Sequence, residues 1–407
     1  MSILSGKNIL LGISGGIAAY KSIFLLRLFI KKGANVQVIM TPSAKDFVTP
    51  LTLSTLSNRP VLSEFFDKKN KNAVWNNHVD LGLWADLFII APATSNTLSK
   101  MASARADNLL LATYLSSKCP VYFAPAMDLD MHKNLANQEN IKKLEDFGKK
   151  HIPVNSGFLA SGLEGEGRMS EPQEIIDFIS QDIKKELKLY NKNVMITAGP
   201  TYESIDAVRF IGNFSSGKMG FALAKTASKL GANVTLITGP SSENLIDDNI
   251  NIINVVTADQ MFAEVKKHFS FSDISIMSAA VSDYKPKNTV NTKIKKENQN
   301  ILSIELVENI DILKYLGLNK SKEQILVGFA LETDNEIINA KSKISKKNLD
   351  AIVLNSLRDE GAGFGHDTNK IYYINSSGLI KKFKLKSKDK VSVDIFIEII
   401  NDFYEKI

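Results

Sequence analysis

Cysteine is almost absent from this 407-residue chain. A single one, Cys119, excludes an intramolecular disulfide and any cysteine-rich metal site, and it fits a reducing compartment, with the cytoplasm as the default. Long apolar runs are missing too, so no segment reaches the length that a membrane span needs. An apolar stretch follows Lys7, but Gly12-Ile-Ser-Gly-Gly16 interrupts it and no small-residue cleavage site follows, which predicts a buried strand rather than a leader. The net charge is +6 and the pI near 9.0, yet the lysines are scattered among acidic residues without aromatic interleaving. That argues against nucleic acid as a partner. The dinucleotide spacing G-x-G-x-x-G is not met at 12–16, and neither second strand, ending Met40-Thr41 or Ile237-Thr238, leads into the acidic residue that holds a ribose. A nicotinamide-dependent oxidoreductase is disfavoured on that ground.

What the chain does carry is a repeated order of elements. Apolar residues 9–11 lead into the 12–16 glycine loop and an apolar-periodic stretch ending near Ile30, which predicts strand, loop and helix. Residues 194–196 lead likewise into 197–220, TAGPTYESIDAVRFIGNFSSGKMG, and a helix over 217–230 whose first amides suit a phosphate. Each helix ends in a near-identical phrase, Lys32-Gly-Ala-Asn-Val36 and Leu230-Gly-Ala-Asn-Val234, with a C-cap glycine before a strand. A hydrophobic fraction of 44% allows real cores. The polar stretch 181–192, QDIKKELKLYNK, breaks the pattern, so the expected organisation is α/β with two Rossmann-like domains, 1–185 and 191–407.

Taken singly, these features leave alternatives open. The first loop fits a plain tight turn as well as a phosphate cradle. Ser215-Ser-Gly-Lys218 fits a helix cap with a surface lysine, and residues 285–300, KPKNTVNTKIKKENQN, fit a solvated excursion as well as a functional loop. Combination is more informative. His78 precedes Leu81-Gly-Leu-Trp-Ala-Asp86; then come Ala91-Pro-Ala-Thr-Ser-Asn-Thr97, Ala124-Pro-Ala-Met-Asp-Leu-Asp-Met131 and Ser161-Gly-Leu-Glu-Gly-Glu-Gly-Arg-Met169. In this order they resemble the flavin-dependent phosphopantothenoylcysteine decarboxylases. The second half resembles phosphopantothenate-cysteine ligase, so the chain resembles, end to end, the bifunctional coenzyme A biosynthesis family.

The resemblance implies a flavodoxin-like N-terminal flavoprotein domain and a C-terminal nucleotide-binding ligase domain. In the first, FMN oxidises the thiol carbon of the substrate's cysteine moiety, carbon dioxide leaves, and the hydride returns to give 4′-phosphopantetheine. His78 matches the family's base. Ser14, Gly15, Gly16 and Ser43 are expected around the FMN phosphate, with Thr94, Ser95, Asn96 and Thr97 along the flavin. Met127 and Asp128 are expected at the substrate. Two positions depart from the family: its motif PAMN ends here in Asp128, and the cysteine donor of many members is Ser161. An ionised Asp128 would repel the substrate carboxylate, so this side chain is expected to take up a proton, hold the carboxylate and supply the proton that cysteine gives elsewhere, leaving Ser161 to orient substrate.

For the ligase, the resemblance implies that CTP activates the carboxylate of 4′-phosphopantothenate, with magnesium, and that cysteine attacks the acyl-cytidylate. Asn213 matches the residue that turns this intermediate over, and Arg209 is its expected phosphate-binding neighbour. Met277, Ser278, Ala279, Asp283, Asn309, Ile310, Asp311, Ile312, Phe329, Lys343 and Lys347 are expected at CTP, with Lys293 needed to form the acyl-cytidylate. Ile310 replaces the proline of the family's NPDI. Metal ligands stay unassigned. The partners expected are these small molecules and further copies of the chain, as trimers of flavin domains joined by ligase dimers. The alternative is an active ligase with a non-catalytic flavin-binding first half.

Overall fold

The computed structural model describes residues 2–66, 75–247, 249–295, 302–356, 358, 361, 363 and 365–404. The chain divides into two compact units, Ser2–Lys184 and one that begins at Lys185. In the first, five parallel strands, β1 (Asn8–Ile13), β2 (Asn35–Met40), β3 (Leu87–Ala93), β4 (Val121–Pro125) and β5 (Lys150–His151), lie in the order β2-β1-β3-β4-β5. This is the flavodoxin-like order, which puts a ligand crevice where β1 and β3 diverge. Helices cover both faces, so the central strands read as unbroken apolar runs; every residue of β3 is buried. Helix α1 (Lys21–Lys31) turns Leu25, Leu26 and Phe29 into the core. An antiparallel hairpin, β6 (Asn155–Phe158) and β7 (Glu164–Arg168), follows the sheet.

Among the described residues the main sheet of the second unit holds eight strands, β8 (Asn193–Ala198), β9 (Asn233–Thr238), β10 (Ile250–Asn254), β11 (Ile274–Met277), β12 (Ile325–Glu332), β13 (Ala351–Ser356), β14 (Ile371–Asn375) and β15 (Ile380–Lys382). They run β10-β9-β8-β11-β12-β13-β14-β15, parallel up to β13 and antiparallel beyond it. The parallel part has the Rossmann order, with its switch point between β8 and β11. The repeated Gly-Ala-Asn-Val phrase acts alike in both units: Gly33 at φ +83° and Gly231 at φ +94° close their helices in the left-handed region and turn the chain into β2 and β9.

The α/β class with two Rossmann-like units is therefore observed. Residues 181–192 do not form a junction throughout, because helix α2 (Pro172–Lys185) runs into them, anchored by buried Ile175, Ile176 and Ile179. Periodicity on the apolar face outlasts the polar composition of its last turn. No described helix is long and apolar enough to cross a membrane.

Candidate active sites

In the first unit the ends of β1 and β3 open on a cavity of about 850 Å³. Gly15 brings the loop after β1 so close to the loop after β2 that an added Cβ would lie 2.5 Å from Ser43 Oγ. The Thr94 amide donates to Ser14 Oγ at 3.0 Å, and that hydroxyl donates to Pro92 O at 2.7 Å. Ser14 thus ties the two crevice loops together and is not among the lining residues, whereas Gly15, Gly16, Ser43, Thr94, Ser95, Asn96 and Thr97 are. The helix Ser95–Ala102 has no side-chain cap, which leaves its first amides to an anionic group.

The hairpin forms the facing wall. The Met127 amide donates to Gly167 O at 3.0 Å, and Asp128 caps the helix Leu129–Lys133, its Oδ1 accepting from the Leu129 amide at 2.7 Å. Ser161, in the hairpin turn, and Asp128 both line the cavity. Their approach depends on Gly167: at φ +132°, an added Cβ would lie 2.4 Å from Met127 O. Gly167→Ala is expected to destabilise this unit by about 2 kcal/mol and to loosen flavin, checked by thermal unfolding and by flavin retained on gel filtration. Behind the wall, buried Lys21 Nζ donates to Met169 O at 2.8 Å and to Glu171 Oε1 at 2.9 Å. The Lys21 hydrogen bond, helped by the Lys21 and Arg168 charges, overcomes burial and holds the Glu171 carboxyl below its ordinary value.

His78 is placed apart. It opens the helix His78–Trp84, whose cap Asn77 accepts from the Val79 amide at 3.0 Å, and its ring packs against Phe65 and Trp75 at 6.1 and 5.7 Å. It is not among the lining residues of the first cavity. Its buried Nδ1 has no hydrogen-bond partner among the described residues.

In the second unit a cavity of about 480 Å³ opens where β8 and β11 diverge. Gly220 lets the helix α3 (Lys218–Lys229) press on β8, since an added Cβ would lie 2.4 Å from Ala198 Cβ. The segment after β11 is bolted in place: Ser278 Oγ donates to Thr197 O at 2.6 Å, the Ala279 amide to Thr197 Oγ1 at 3.2 Å, and Asn213 Nδ2 to Ala280 O at 3.0 Å. The Asn309 amide donates to Asp283 O at 2.8 Å and its Nδ2 to Ser282 O at 2.8 Å. Met277, Ser278, Ala279, Asp283, Asn309, Ile310, Asp311, Ile312, Phe329, Lys343, Lys347 and Asn213 all line this one cavity. Lys347 Nζ lies 2.8 Å from Asp311 Oδ2. Although burial pushes the Asp311 carboxyl up, the Lys347 hydrogen bond and the Lys314 amide outweigh it and hold it below its ordinary value. Lys343 pairs with Glu332. Among the described residues Asn309 and Asn355 carry buried amide oxygens without a partner, as groups that a ligand satisfies do.

The two family models divide the chain between them: the flavoprotein model matches residues 2–184, and that of the DNA/pantothenate metabolism flavoprotein C-terminal domain matches residues 189–403. The coenzyme A biosynthesis bifunctional protein CoaBC of Borreliella burgdorferi is 43% identical over 96% of this chain and 98% of its own length. The chain belongs to the bifunctional coenzyme A biosynthesis family. The Bacillus subtilis protein of the same name is 43% identical over 98% of this chain and 97% of that one. A protein named cysteine/cysteine sulfinic acid decarboxylase, from an unknown prokaryote, is 52% identical over 87% of this chain and 99% of that one. Among solved structures, a CoaBC C-terminal domain matches with 38% identity and a TM-score of 0.45, covering 53% of this chain and 96% of that one. A PPC decarboxylase mutant complexed with pantothenoylaminoethenethiol matches with 30% identity and a TM-score of 0.39, covering 44% and 99%.

Two ligase candidates lie outside the second cavity's lining. Lys293 is exposed, and Arg209 is turned to Asp206, whose buried carboxylate also accepts from the amides of Val208, Arg209 and Ile294 at 2.8, 2.8 and 3.2 Å. Arg209 Nη2 donates onward to Ile294 O at 3.0 Å, so this pair anchors the strand of chain that carries Lys293. Residues 296–300 of that loop, Lys296 included, lie outside the described residues. The Arg209 guanidinium, with the three amides, holds the Asp206 carboxyl far below its ordinary value. A depressed carboxyl contributes stability above its unfolded value of about 4 and loses it as pH falls through the folded value. Asp206→Asn is therefore expected to melt below wild type at neutral pH and to converge with it in strong acid, as melting temperatures across pH would record. Sequence reasoning missed Asn355, Asn369 and Lys388, which line the second cavity, and Lys21 and Arg168, which line the first. A lysine in the first turn of the last helix, against the helix dipole, was the one available signal.

Proposed function

We propose that the second unit joins 4′-phosphopantothenate to cysteine with CTP as activator, and that the first decarboxylates the product to 4′-phosphopantetheine. The observation that carries the ligase reading is the convergence of Asn213 and eleven nucleotide candidates on one cavity at the Rossmann switch point. The substrate carboxylate attacks the α-phosphorus and pyrophosphate leaves; the cysteine amine then attacks the acyl carbon and CMP leaves. Asn213 donates to the acyl oxygen, the amides at the start of α3 hold phosphate oxygens, and Phe329 packs on the base. Lys343 and Lys347 exchange Glu332 and Asp311 for phosphate. Lys293 closes from its anchored loop and keeps water from the activated acid. Mg²⁺ would be held mainly by the triphosphate oxygens and would neutralise their charge as pyrophosphate leaves.

The first cavity suits FMN: it opens at the flavodoxin switch point, with glycines and hydroxyls at one end and Ile17, Met127, Met131 and Phe158 for a ring system. Bound FMN would supply the two-electron oxidation that creates the sink for loss of carbon dioxide, and would return the hydride to the decarboxylated product. Asp128, its Oδ1 engaged by the Leu129 amide, carries its proton on Oδ2, binds the substrate carboxylate through it and delivers it after carbon dioxide leaves. Ser161 orients the substrate. His78 acts in the cavity of a second copy, in line with trimers of this unit; exposed Ile17, Tyr20 and Phe24 are available to such a contact. The ligase units pair as dimers, and the enzyme works in the cytoplasm.

Incubation of the full chain with 4′-phosphopantothenate, cysteine, CTP and Mg²⁺, followed by mass analysis, tests both halves. Yellow protein that yields 4′-phosphopantetheine supports the reading, and accumulation of 4′-phosphopantothenoylcysteine sinks the decarboxylase half. Because Asp128 and Ser161 depart from the family pattern and one relative is named a cysteine decarboxylase, free cysteine is the second substrate to try. Conversion of it to cysteamine in place of phosphopantetheine formation would redirect the first unit.

A further inference from the structure

Lys388 opens the C-terminal helix α4 (Lys388–Phe403) and is 8% exposed. Its ammonium donates to two backbone carbonyls, His366 O at 2.6 Å and Gly363 O at 3.3 Å. An ammonium has three N–H groups, so one remains without a partner among the described residues. Among the described residues no carboxylate forms an ion pair with it; Asp367, its neighbour, is bound to Lys218 Nζ at 2.5 Å. A buried cation whose direct partners are neutral carbonyls keeps a net field to be neutralised. Its position makes this stronger. The first turn of a helix is the wrong end for a positive side chain, and Ser387 provides no side-chain cap to α4. Lys388 nevertheless lines the second unit's cavity together with Lys218 and Ser215–Gly217, where α3 also begins without a side-chain cap. Two uncapped helix starts and two ammonium groups border the same space. Burial first, then the Lys218 charge, lowers the affinity of Lys388 for its proton, and an arriving anion would reverse that.

We propose that Lys388 is a phosphate-binding lysine of the ligase cavity, its free N–H contacting the phosphate oxygens that leave as pyrophosphate. The assignment rests on reading this cavity as the nucleotide site. Lysine suits the place because a buried ammonium meets a polyphosphate as a point charge while its other donors hold the Gly363 and His366 carbonyls.

The discriminating variant is Lys388→Gln. Its amide keeps donors for the carbonyls and drops the charge. In the full-length enzyme, Lys388→Gln is expected to bind CTP and inorganic pyrophosphate about 10- to 100-fold more weakly than wild type by calorimetry, the loss of one charge-assisted hydrogen bond. KM for CTP rises with it, while decarboxylation of supplied 4′-phosphopantothenoylcysteine is unchanged. A variant that binds both probes as wild type does would leave Lys388 a pin for the Gly363 and His366 carbonyls and overturn the proposal. Wild-type enzyme that binds neither probe overturns the nucleotide reading itself. Independently of folding in any variant, saturating pyrophosphate is expected to slow acetylation of Lys388 in wild type several-fold, read on its peptide by mass spectrometry, with exposed Lys390 as the unaffected control. Equal labelling of Lys388 with and without pyrophosphate also overturns it.

Discussion

Asp128→Asn is expected to cut decarboxylation by about 10²- to 10⁴-fold, the usual contribution of a positioned proton donor, and to leave amide formation untouched. The fold gives this substitution little else to disturb. Asp128 caps a five-residue helix through Oδ1, and asparagine caps as well, so melting should shift only slightly. What is lost is the acidic proton. Ser161 lines the same cavity but its hydroxyl cannot replace that proton near neutral pH. A thiol can, with an ordinary value near 8.5, so the double variant Asp128→Asn with Ser161→Cys should recover most of the lost rate by restoring the arrangement that the family uses. The readout is phosphopantothenoylcysteine against phosphopantetheine by mass analysis. Full activity in the single variant would remove Asp128 as donor, and failure of the thiol to rescue would mean that Ser161 lies out of reach of the carbon to be protonated.

The strand-loop-helix openings were legible because both depend on local order: an apolar run, glycine where backbones approach, then a periodic apolar face. The Gly-Ala-Asn-Val phrases are the clearest case, each glycine adopting the left-handed turn that its place after a helix requires. Strand order was legible only through the family resemblance, which implied a flavodoxin-like first domain, since which parallel strands pair is a long-range choice that no local pattern encodes. The same limit governs the sites. Residues that follow a strand, such as Ser278 and Ala279, lie at the cavity because the strand ends there. Ser14 follows a strand as well, but its hydroxyl is consumed by Pro92 and Thr94, partners 78 and 80 residues away. Lys388 and Asn369 reach the ligase cavity only because the antiparallel edge and the last helix fold back on it. His78 shows a further limit: its match to the family's base is a matter of sequence order, whereas the folded chain leaves it outside the lining of the first cavity.

Asn213→Ala is expected to slow amide formation by about 10²- to 10³-fold, the cost of removing one donor to a developing oxyanion, while pyrophosphate release in the first turnover persists. The competing account is mechanical. Asn213 Nδ2 donates to Ala280 O at 3.0 Å and Val281 O at 3.3 Å, so truncation also frees the segment that carries the nucleotide candidates. The residue is exposed, however, and water can take over both carbonyls, which limits the structural loss to about 1 kcal/mol. The two accounts separate in a rapid-quench experiment. If Asn213 acts on the acyl intermediate, the variant gives a pyrophosphate burst of near-normal amplitude and the acyl-cytidylate accumulates to a level that mass analysis detects. If it only props up the 280–281 carbonyls, CTP affinity falls and the burst shrinks with it. The second outcome would move Asn213 from the reacting atoms to the frame that supports them, and would leave the uncapped start of α3 as the main candidate for transition-state stabilisation in this unit.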